Sequence, residues 1–349
     1  MLLREEDENI HHYFTQDVYA QSCAITAWQQ LYDQIHPGHF QGELTEILFD
    51  GIQLCREYTS LALRQSCMVK PESFWLGIPA TPGAVGFIGS QPIEENCLAV
   101  SAGGEEFELN TPDEYAILGM VISHDTLFQD TDMLVDQEQI FRLLSQQSAL
   151  IVEPHKKAAL CALVHQVLWY GCADPQRIQR GNAGKALNHH LLMALLTLLE
   201  SAHPLPSQTP GRRMGYRRLV NGAREYVLDR TSEPVTVLDL CRELYVSRRT
   251  LQTAFCDVVG VGPNSWLKMI RLNAVHRELI SPFSRCHNVT DAAMSWGFWH
   301  LSQFATDYQL LFNEKPSATL RLRHQPTHGG RRTTLMLNSS LALDSMVVR

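Results

Sequence analysis

The sequence lacks the segments that mark membrane and disulfide-stabilised proteins. Its longest apolar run, Leu191–Leu199, is about half the length that a membrane span needs. The first residues, MLLREEDENI, do not show the basic start and apolar stretch of a secretion signal. The nine cysteines are scattered between Cys23 and Cys286 without a CxxC pair, which favours a reducing compartment over a disulfide framework. We therefore expect a cytoplasmic protein that makes no membrane contact.

Motifs of the common enzyme classes are also missing. The chain contains no GxSxG elbow, no HExxH, no P-loop and no GxGxxG. Its β-like region has no His-x-His spacing of the kind that a metal-dependent barrel enzyme would show. The sequence thus predicts that the protein is not an enzyme and has neither catalytic residues nor a metal site. An enzyme or carrier with an incidental helical module is the alternative from another class.

The charge is unevenly distributed along the 349 residues. Residues 213–323 carry 15 basic and 10 acidic side chains, a net charge of +5, whereas residues 1–212 have a net charge of −15. A basic module joined to an acidic one hints at a nucleic-acid partner. An ordinary solvated surface explains a net charge of this size equally well, so charge alone does not decide.

Turn and periodicity signals divide the chain. Residues 1–20 are polar and are expected to be mobile. Short β-like segments follow from Glu43 to Ser123, separated by turn signals such as Asp50-Gly51, which is typical of a hairpin. From about Asp125 the apolar residues recur at helical spacing, and three prolines then fall between His203 and Gly211. The pattern predicts a β-sandwich or barrel, then helices, then a linker.

The predicted fold class is therefore a multidomain α+β protein. We expect a β-rich domain at 1–135, with a helical segment at 136–202 packed on it, and a linker at 203–212. An all-α domain follows at 213–323. Residues 324–349 are predicted to be a disordered tail.

The all-α domain contains a pattern typical of a helix-turn-helix motif, at about 237–258. Thr236 and Asp239 predict a capped first helix, and Ser247 predicts the cap of a second. Leu251 and Phe255, four residues apart, would face the core. The side chains left on the outer face, which suit base edges and phosphates, are Arg248, Arg249, Gln252 and Thr253. A helical hairpin with a basic exposed face is the plainer alternative.

The pattern recurs at about 289–312. Phe304 and Tyr308 repeat Leu251 and Phe255 at a displacement of 53 residues. Between the copies, 264–280 is predicted to be one helix about 25 Å long. Two motifs held apart by such a rod could enter neighbouring major-groove faces of one DNA duplex, roughly 34 Å apart.

Residues 213–323 resemble the DNA-binding domain of AraC/XylS-type transcription regulators. The stretches that carry the resemblance are Ser247-Arg-Arg-Thr-Leu-Gln, Gly260-Val-Gly-Pro263, Ile270-Arg-Leu-Asn-Ala274 and Gly297-Phe298 with Phe304. The resemblance implies that double-stranded promoter DNA is the partner. It implies base-reading roles for Arg249, Gln252 and Thr253 in the first copy and for Leu301, Ser302 and Thr306 in the second. Arg248 and His300, which open these helices, complete the predicted DNA-contact set.

The second copy departs from the family pattern at several positions. Trp299 stands where a small capping residue is usual, Asp307-Tyr308 replaces the common Phe-Lys end, and Asn313 replaces a turn glycine. Asparagine enters the left-handed backbone region more readily than most residues, so the turn is expected to survive.

The acidic half resembles regulators of ethanolamine utilisation within that family. The resemblance lies in Ile25-Thr-Ala-Trp-Gln-Gln, Ser73-Phe-Trp and Gly86-Phe-Ile-Gly-Ser-Gln91, and it extends to Ser295-Trp-Gly-Phe-Trp-His-Leu301. It implies a transcriptional activator that responds to ethanolamine and adenosylcobalamin together and acts on RNA polymerase. An AraC-type regulator for a different small metabolite is the alternative.

The effector-binding residues cannot be assigned from the sequence. A cationic amine favours an aromatic face and a carboxylate. Phe74, Trp75 and Trp28 with Glu57 or Asp113 could supply them, although aromatic residues of a β-domain more often form its core. Histidine ligation of cobalamin would draw on His36 and His39 or on His189-His190, although a structural or simply exposed histidine is the favoured interpretation of each.

Overall fold

The computed structural model describes residues 9–49, 51–129, 136–173, 182–206, 211–230 and 235–323. They form two compact units. Unit 1 contains the described residues of Met1–Gln30 and Gln41–Pro206, and unit 2 contains those of Leu31–Phe40 and Ser207–Arg349. Unit 1 is β-rich and the C-terminal part of unit 2 is helical, as the sequence predicts. The predicted tail, 324–349, lies outside the described residues.

The strands of the described residues belong to unit 1, except that residues 31–34 of β2 fall in unit 2. In chain order the strands are β1 Ile10–Thr15, β2 Gln29–Gln34, β3 Gly42–Phe49, β4 Ile52–Thr59, β5 Leu63–Met68, β6 Ser73–Pro79, β7 Gly86–Ile88, β8 Gln91–Ile93, β9 Cys97–Ala102, β10 Phe107–Thr111, β11 Tyr115–Ser123, β12 Ala149–Ile151 and β13 His203–Pro204. An eight-stranded antiparallel sheet has the order β1-β3-β4-β11-β6-β9-β12-β13. A second sheet includes the order β5-β10-β7-β8.

The predicted pairing of the strands on either side of Asp50-Gly51 is confirmed, since Phe49 of β3 pairs with Ile52 of β4. Asp50 itself lies outside the described residues. Gly51 has φ 80°, a left-handed conformation that glycine adopts without strain. A Cβ atom at Gly51 would lie 2.1 Å from Thr126 Oγ1, so glycine is also required by the close approach.

The described residues of unit 1 contain five helices. They are α1 Val18–Ser22, α2 His124–Phe128, α3 Gln137–Gln146, α4 Pro154–Ala173 and α5 Asn182–Glu200. Leu160 and Val164 of α4 and Leu195 of α5 join one hydrophobic core with Leu76 and Leu118 of the eight-stranded sheet. One face of that sheet is therefore covered by helices, and its other face looks towards the second sheet.

The structure corrects two expectations for the ends of unit 1. Residues 10–15, expected to be mobile, form edge strand β1, and the Asp17 carboxylate accepts a hydrogen bond from Ala20 N at 2.7 Å to cap α1. His203 and Pro204, expected in a linker, pair with Ile151 and Leu150 of β12. An edge strand tolerates proline because one side of it needs no amide donor. Residues 207–210 of the predicted linker lie outside the described residues.

The helical part of unit 2 has seven helices within the described residues. They are α6 Gly211–Leu228, α7 Val237–Glu243, α8 Arg248–Val258, α9 Pro263–Ile280, α10 Val289–Ser295, α11 Leu301–Phe312 and α12 Pro316–Leu322. Their apolar faces share one core that contains Phe255, Trp266, Phe304 and Tyr308. Tyr308 OH, fully buried, bonds to His276 Nδ1 at 2.6 Å and to Thr319 Oγ1 at 2.9 Å, which joins α9, α11 and α12.

Residues 31–40 also belong to unit 2, although the sequence analysis placed them in the β-rich domain. Asn273 of α9 bonds to both backbone groups of Gln34, at 2.8 Å to N and 3.0 Å to O. Arg277 Nη1 lies 2.6 Å from Asp33 Oδ1 in a mostly buried ion pair. The Gln34 side chain and Gly38 N both donate to Leu311 O. These contacts depend on residues about 240 positions away, so no local pattern could predict them.

Across the described residues, no helix is both long and apolar enough to cross a membrane. The same residues contain no group of three or more His, Cys, Asp or Glu side chains that could hold a metal ion.

Candidate nucleic-acid interface

The first helix pair is built by local capping. Thr236 Oγ1 accepts a hydrogen bond from Asp239 N, and the Asp239 carboxylate accepts one from Thr236 N at 2.9 Å, which completes a capping box at the start of α7. The Thr236 hydroxyl also donates to the Asp239 carboxylate at 2.6 Å, and this bond, followed by the one from Thr236 N, lowers the pKa of Asp239. The turn that follows contains Tyr245 at φ 53°. The capped start predicted from the sequence is confirmed.

The second helix of this pair, α8, begins at the predicted cap. Ser247 Oγ accepts a hydrogen bond from Thr250 N at 3.1 Å. Leu251 and Phe255 are fully buried, and the Phe255 ring meets Trp266 of α9 edge to face, with 4.8 Å between centroids. Burial of this face fixes the rotation of α8 and therefore decides which side chains face outwards.

The outward face of α8 carries the predicted DNA-contact residues. Arg248, Arg249 and Gln252 are exposed, and Thr253 is half-buried. Neither arginine has an acidic partner within the described part of the chain. Thr253 Oγ1 donates to Arg249 O at 2.9 Å, and Gln252 Nε2 lies 3.3 Å from Cys256 Sγ. Both arginines are thus free to contact phosphates or guanine edges, while Gln252 must leave Cys256 before it can bind adenine.

The second helix pair, α10 and α11, repeats this construction with one difference. Asn288 Oδ1 accepts from Asp291 N at 2.8 Å and caps α10. The N-cap of α11 is His300, not Trp299, and it makes no side-chain capping bond. The sequence analysis placed the cap one residue too early because the turn of this pair contains one extra residue. Phe304 and Tyr308 are buried as predicted.

The predicted contact residues of α11 do not share one environment. His300, Ser302 and Thr306 are exposed, whereas Leu301 is half-buried and packs against the core of unit 2. Leu301 therefore offers only part of its side chain to a partner. Thr306 Oγ1 donates to Ser302 O at 3.1 Å, the counterpart of the Thr253–Arg249 bond 53 residues earlier.

Helix α9 links the two pairs. It is continuous from Pro263 to Ile280, as predicted, and its 18 residues span about 27 Å. It contacts α8 of the first pair and both α10 and α11 of the second pair. Lys268 Nζ of α9 lies 2.9 Å from Asp307 Oδ1 of α11, which ties the rod to the second pair.

Some basic residues of unit 2 are structural. Burial lowers the pKa of Arg271, and its Nη2 donates to Val235 O at 3.0 Å. Arg277 pairs with Asp33, and Arg323 Nη1 donates to Cys286 O at 2.7 Å. These arginines contribute the same formal charge to the sequence as Arg248 and Arg249. Only exposed arginines, however, could contact a DNA partner.

Residues 240–322 match the family model described as "Helix-turn-helix domain". The chain is 34% identical over 103 residues to the "Probable thc operon regulatory protein" of Rhodococcus erythropolis, an alignment that covers 30% of this chain and 31% of that one. It is 29% identical over 99 residues to "XylDLEGF operon transcriptional activator 3" of Pseudomonas putida, covering 28% and 30%. The chain thus spans about a third of the length of these curated relatives.

Two solved structures are also similar. A crystal structure of a "probable AraC family transcriptional regulator" from Rhodopseudomonas palustris is 33% identical and covers 31% of this chain and 99% of that one, with a TM-score of 0.28. The crystal structure of "the AraC-like transcriptional activator CuxR" is 12% identical and covers 82% and 100%, with a TM-score of 0.38.

Proposed function

We propose that this protein is an AraC-type, DNA-binding activator of ethanolamine-utilisation genes that responds to ethanolamine and adenosylcobalamin. The observation that supports DNA binding is the outward face of α8. Its rotation is fixed by Leu251 and Phe255, and it presents Arg248 and Arg249 beside a capped helix start. A helix start offers free backbone N–H groups, which favour phosphate.

The second helix pair is proposed as a second groove-reading element. The two helix pairs have residues with positive φ at equivalent positions. In the turn between the helices these residues are Tyr245 in the first pair and Gly297 in the second. At the end of the second helix they are Gly260 and Asn313. Since α11 presents Ser302 and Thr306 rather than arginines, we assign base reading mainly to α8 and backbone or thymine-methyl contact to α11.

The effector assignments rest on the sequence resemblance alone. The histidines considered for cobalamin, His36 with His39 and His189 with His190, are all exposed. Within the described part of the chain none of them belongs to a group of three or more potential metal ligands, so we derive no step through a cobalamin. In the proposed mechanism, effector binding shifts an existing conformational equilibrium of unit 1. This shift changes how unit 2 binds DNA or RNA polymerase.

Fluorescence anisotropy with labelled promoter DNA tests the proposal. We expect the affinity to fall steeply between about 50 and 200 mM salt, since each phosphate contact adds about 0.9 to the slope of log K against log salt. An unchanged affinity would exclude a phosphate-binding regulator and favour the enzyme or carrier alternative.

A reporter assay separates the two regulator alternatives. Transcription is measured from the promoter of ethanolamine-utilisation genes with ethanolamine and adenosylcobalamin added singly and together. We expect full activation only with both. Activation by neither, with DNA binding intact, would point to a different metabolite.

A further inference from the structure

Residues 31–40, which we call the docked segment, contact α9 and α11 of unit 2, although the chain on both sides of them belongs to unit 1. Asn273 of α9 binds the main chain of this segment at Gln34. The Asn273 side chain accepts from Gln34 N at 2.8 Å and donates to Gln34 O at 3.0 Å. It thus takes the place that a neighbouring strand would occupy, and it fixes the segment on α9.

The Gln34 side chain, 1% exposed, extends from this point to the end of α11. Its Nε2 donates to Leu311 O at 2.8 Å, and it also holds the tip of the docked segment through His36 O at 2.9 Å and Gly38 O at 3.1 Å. Gly38 N donates to the same Leu311 oxygen at 2.9 Å. Gln34 therefore joins α9, through its main chain, to α11, through its amide.

Helix α11 depends on this end because its start lacks a side-chain cap. His300, the N-cap of α11, makes no side-chain capping bond, whereas Ser247 caps α8 by accepting from Thr250 N at 3.1 Å. The last four carbonyl groups of a helix have no partner within it. Leu311 O is one of these groups in α11, and both of its donors come from the docked segment. The segment thus supplies from a distance what α8 obtains locally.

An ion pair strengthens the attachment of the docked segment to α9. Arg277 Nη1 lies 2.6 Å from Asp33 Oδ1 and donates to Tyr32 O at 3.3 Å. Half-buried Ile35 packs against the core of unit 2. Hydrogen bonds and ion pairs are directional and resist small displacements, whereas apolar burial is non-directional. The docked segment therefore sets the tilt of α11 more closely than the burial of its apolar face can.

The tilt of α11 decides where its predicted DNA-contact side chains lie. Ser302 is about 13 Å from Leu311 along the helix, so a tilt of about 10° at Leu311 moves Ser302 by about 2 Å. Hydrogen bonds form within a range of only about 0.5 Å in donor–acceptor distance. A small change at the docked segment is thus large enough to make or break the contacts of α11 with a partner.

We propose that the docked segment positions α11 for DNA binding, with Gln34 as the central positioning residue. The assignment rests on the proposed function, because it requires that α11 contacts DNA. By linkage, DNA bound at α11 stabilises the docked segment in return. Residues 240–322, which match the helix-turn-helix family model, do not include this segment. The DNA-contact module of this chain therefore needs a part that lies about 200 positions before them.

Hydroxyl-radical footprinting of the full-length chain on promoter DNA tests the positioning role. Wild type should protect two backbone patches roughly 34 Å apart. The patch that Arg249→Ala weakens belongs to α8, and the other belongs to α11. Gln34→Met keeps the length of the side chain and removes its amide, so half-protection of the α11 patch should need about tenfold more protein while the α8 patch is unchanged.

The matched control is Gln53→Met, which removes another buried amide. Gln53 is 7% exposed and its Nε2 donates to Thr26 O at 2.9 Å in unit 1. This variant should leave both patches unchanged. A purely structural role of Gln34 would weaken both patches together. That result, or two patches unaltered by Gln34→Met, would overturn the proposal.

Hydrogen exchange of the wild-type chain, with and without promoter DNA, needs no substitution and decides the matter if Gln34→Met does not fold. Linkage predicts that DNA slows exchange of the Gln34 and Gly38 amides by about fivefold or more. Unchanged exchange of both amides, while DNA protects α8, would contradict the positioning role. If DNA protects no part of unit 2, the proposed function itself fails.

Discussion

The buried ion pair between Asp33 and Arg277 tests whether residues 31–40 are an integral part of unit 2. Their side chains are 4% and 13% exposed, and Arg277 Nη1 lies 2.6 Å from Asp33 Oδ1. Replacing one member leaves the other charge buried without its partner. Such a loss costs about 3–5 kcal/mol, whereas removal of both charges costs much less. We therefore expect Arg277→Met and Asp33→Asn each to destabilise unit 2 by about 3–5 kcal/mol.

Urea unfolding of the full chain, followed by circular dichroism at 222 nm, measures the effect as a double-mutant cycle. The double variant should recover at least about 2 kcal/mol relative to the sum of the single changes. Arg142→Met is the matched control, since the Arg142–Glu138 pair is 60% and 81% exposed and such pairs contribute at most about 1 kcal/mol. If Arg277→Met lowers the unfolding free energy no more than Arg142→Met, residues 31–40 are not held as the structure shows.

Three further predictions concern the first helix pair. Arg249→Ala should cost about 1–3 kcal/mol of DNA affinity at a single base-pair position, as measured by anisotropy on a set of operator variants. Tyr245→Gly should raise the unfolding free energy by about 1 kcal/mol, because Tyr245 is 96% exposed and its φ of 53° strains any residue with a Cβ atom. Hydrogen bonds from Thr236 lower the pKa of Asp239, so its contribution to stability is present above the unfolded pKa of about 3.9 and is lost as the pH falls further. The difference in melting temperature between wild type and Asp239→Asn should therefore shrink between pH 7 and pH 3.

One experimental outcome would contradict each of these three predictions. A uniform loss of affinity across all operator variants would make Arg249 a phosphate contact and not a base reader. A destabilised Tyr245→Gly variant would show that the tyrosine ring packs in solution. A melting-temperature difference for Asp239→Asn that is constant with pH would mean that the capping box does not depend on the ionised carboxylate.

Local sequence determined the elements whose stabilising partners are close along the chain. Such elements are the caps at Thr236 and Ser247, the Asp50-Gly51 turn and the continuous helix α9. Each depends on residues nearby in the chain, so the local sequence pattern was sufficient to predict it. The outward face of α8 followed as well, because helical geometry places Arg249 almost opposite the buried Leu251 once the period is known.

Tertiary structure alone decided the rest, because the partners are distant in sequence. Glu46 is an acidic residue of a kind that usually lies on the surface, yet it is fully buried and accepts hydrogen bonds from Thr26, 20 positions earlier in the chain. The assignment of residues 31–40 to unit 2 depends on Asn273 and Arg277, about 240 positions away. Burial likewise distinguishes the arginines, since Arg277 is a mostly buried ion-pair partner whereas Arg248 and Arg249 are exposed. The sequence alone contains no measure of this exposure.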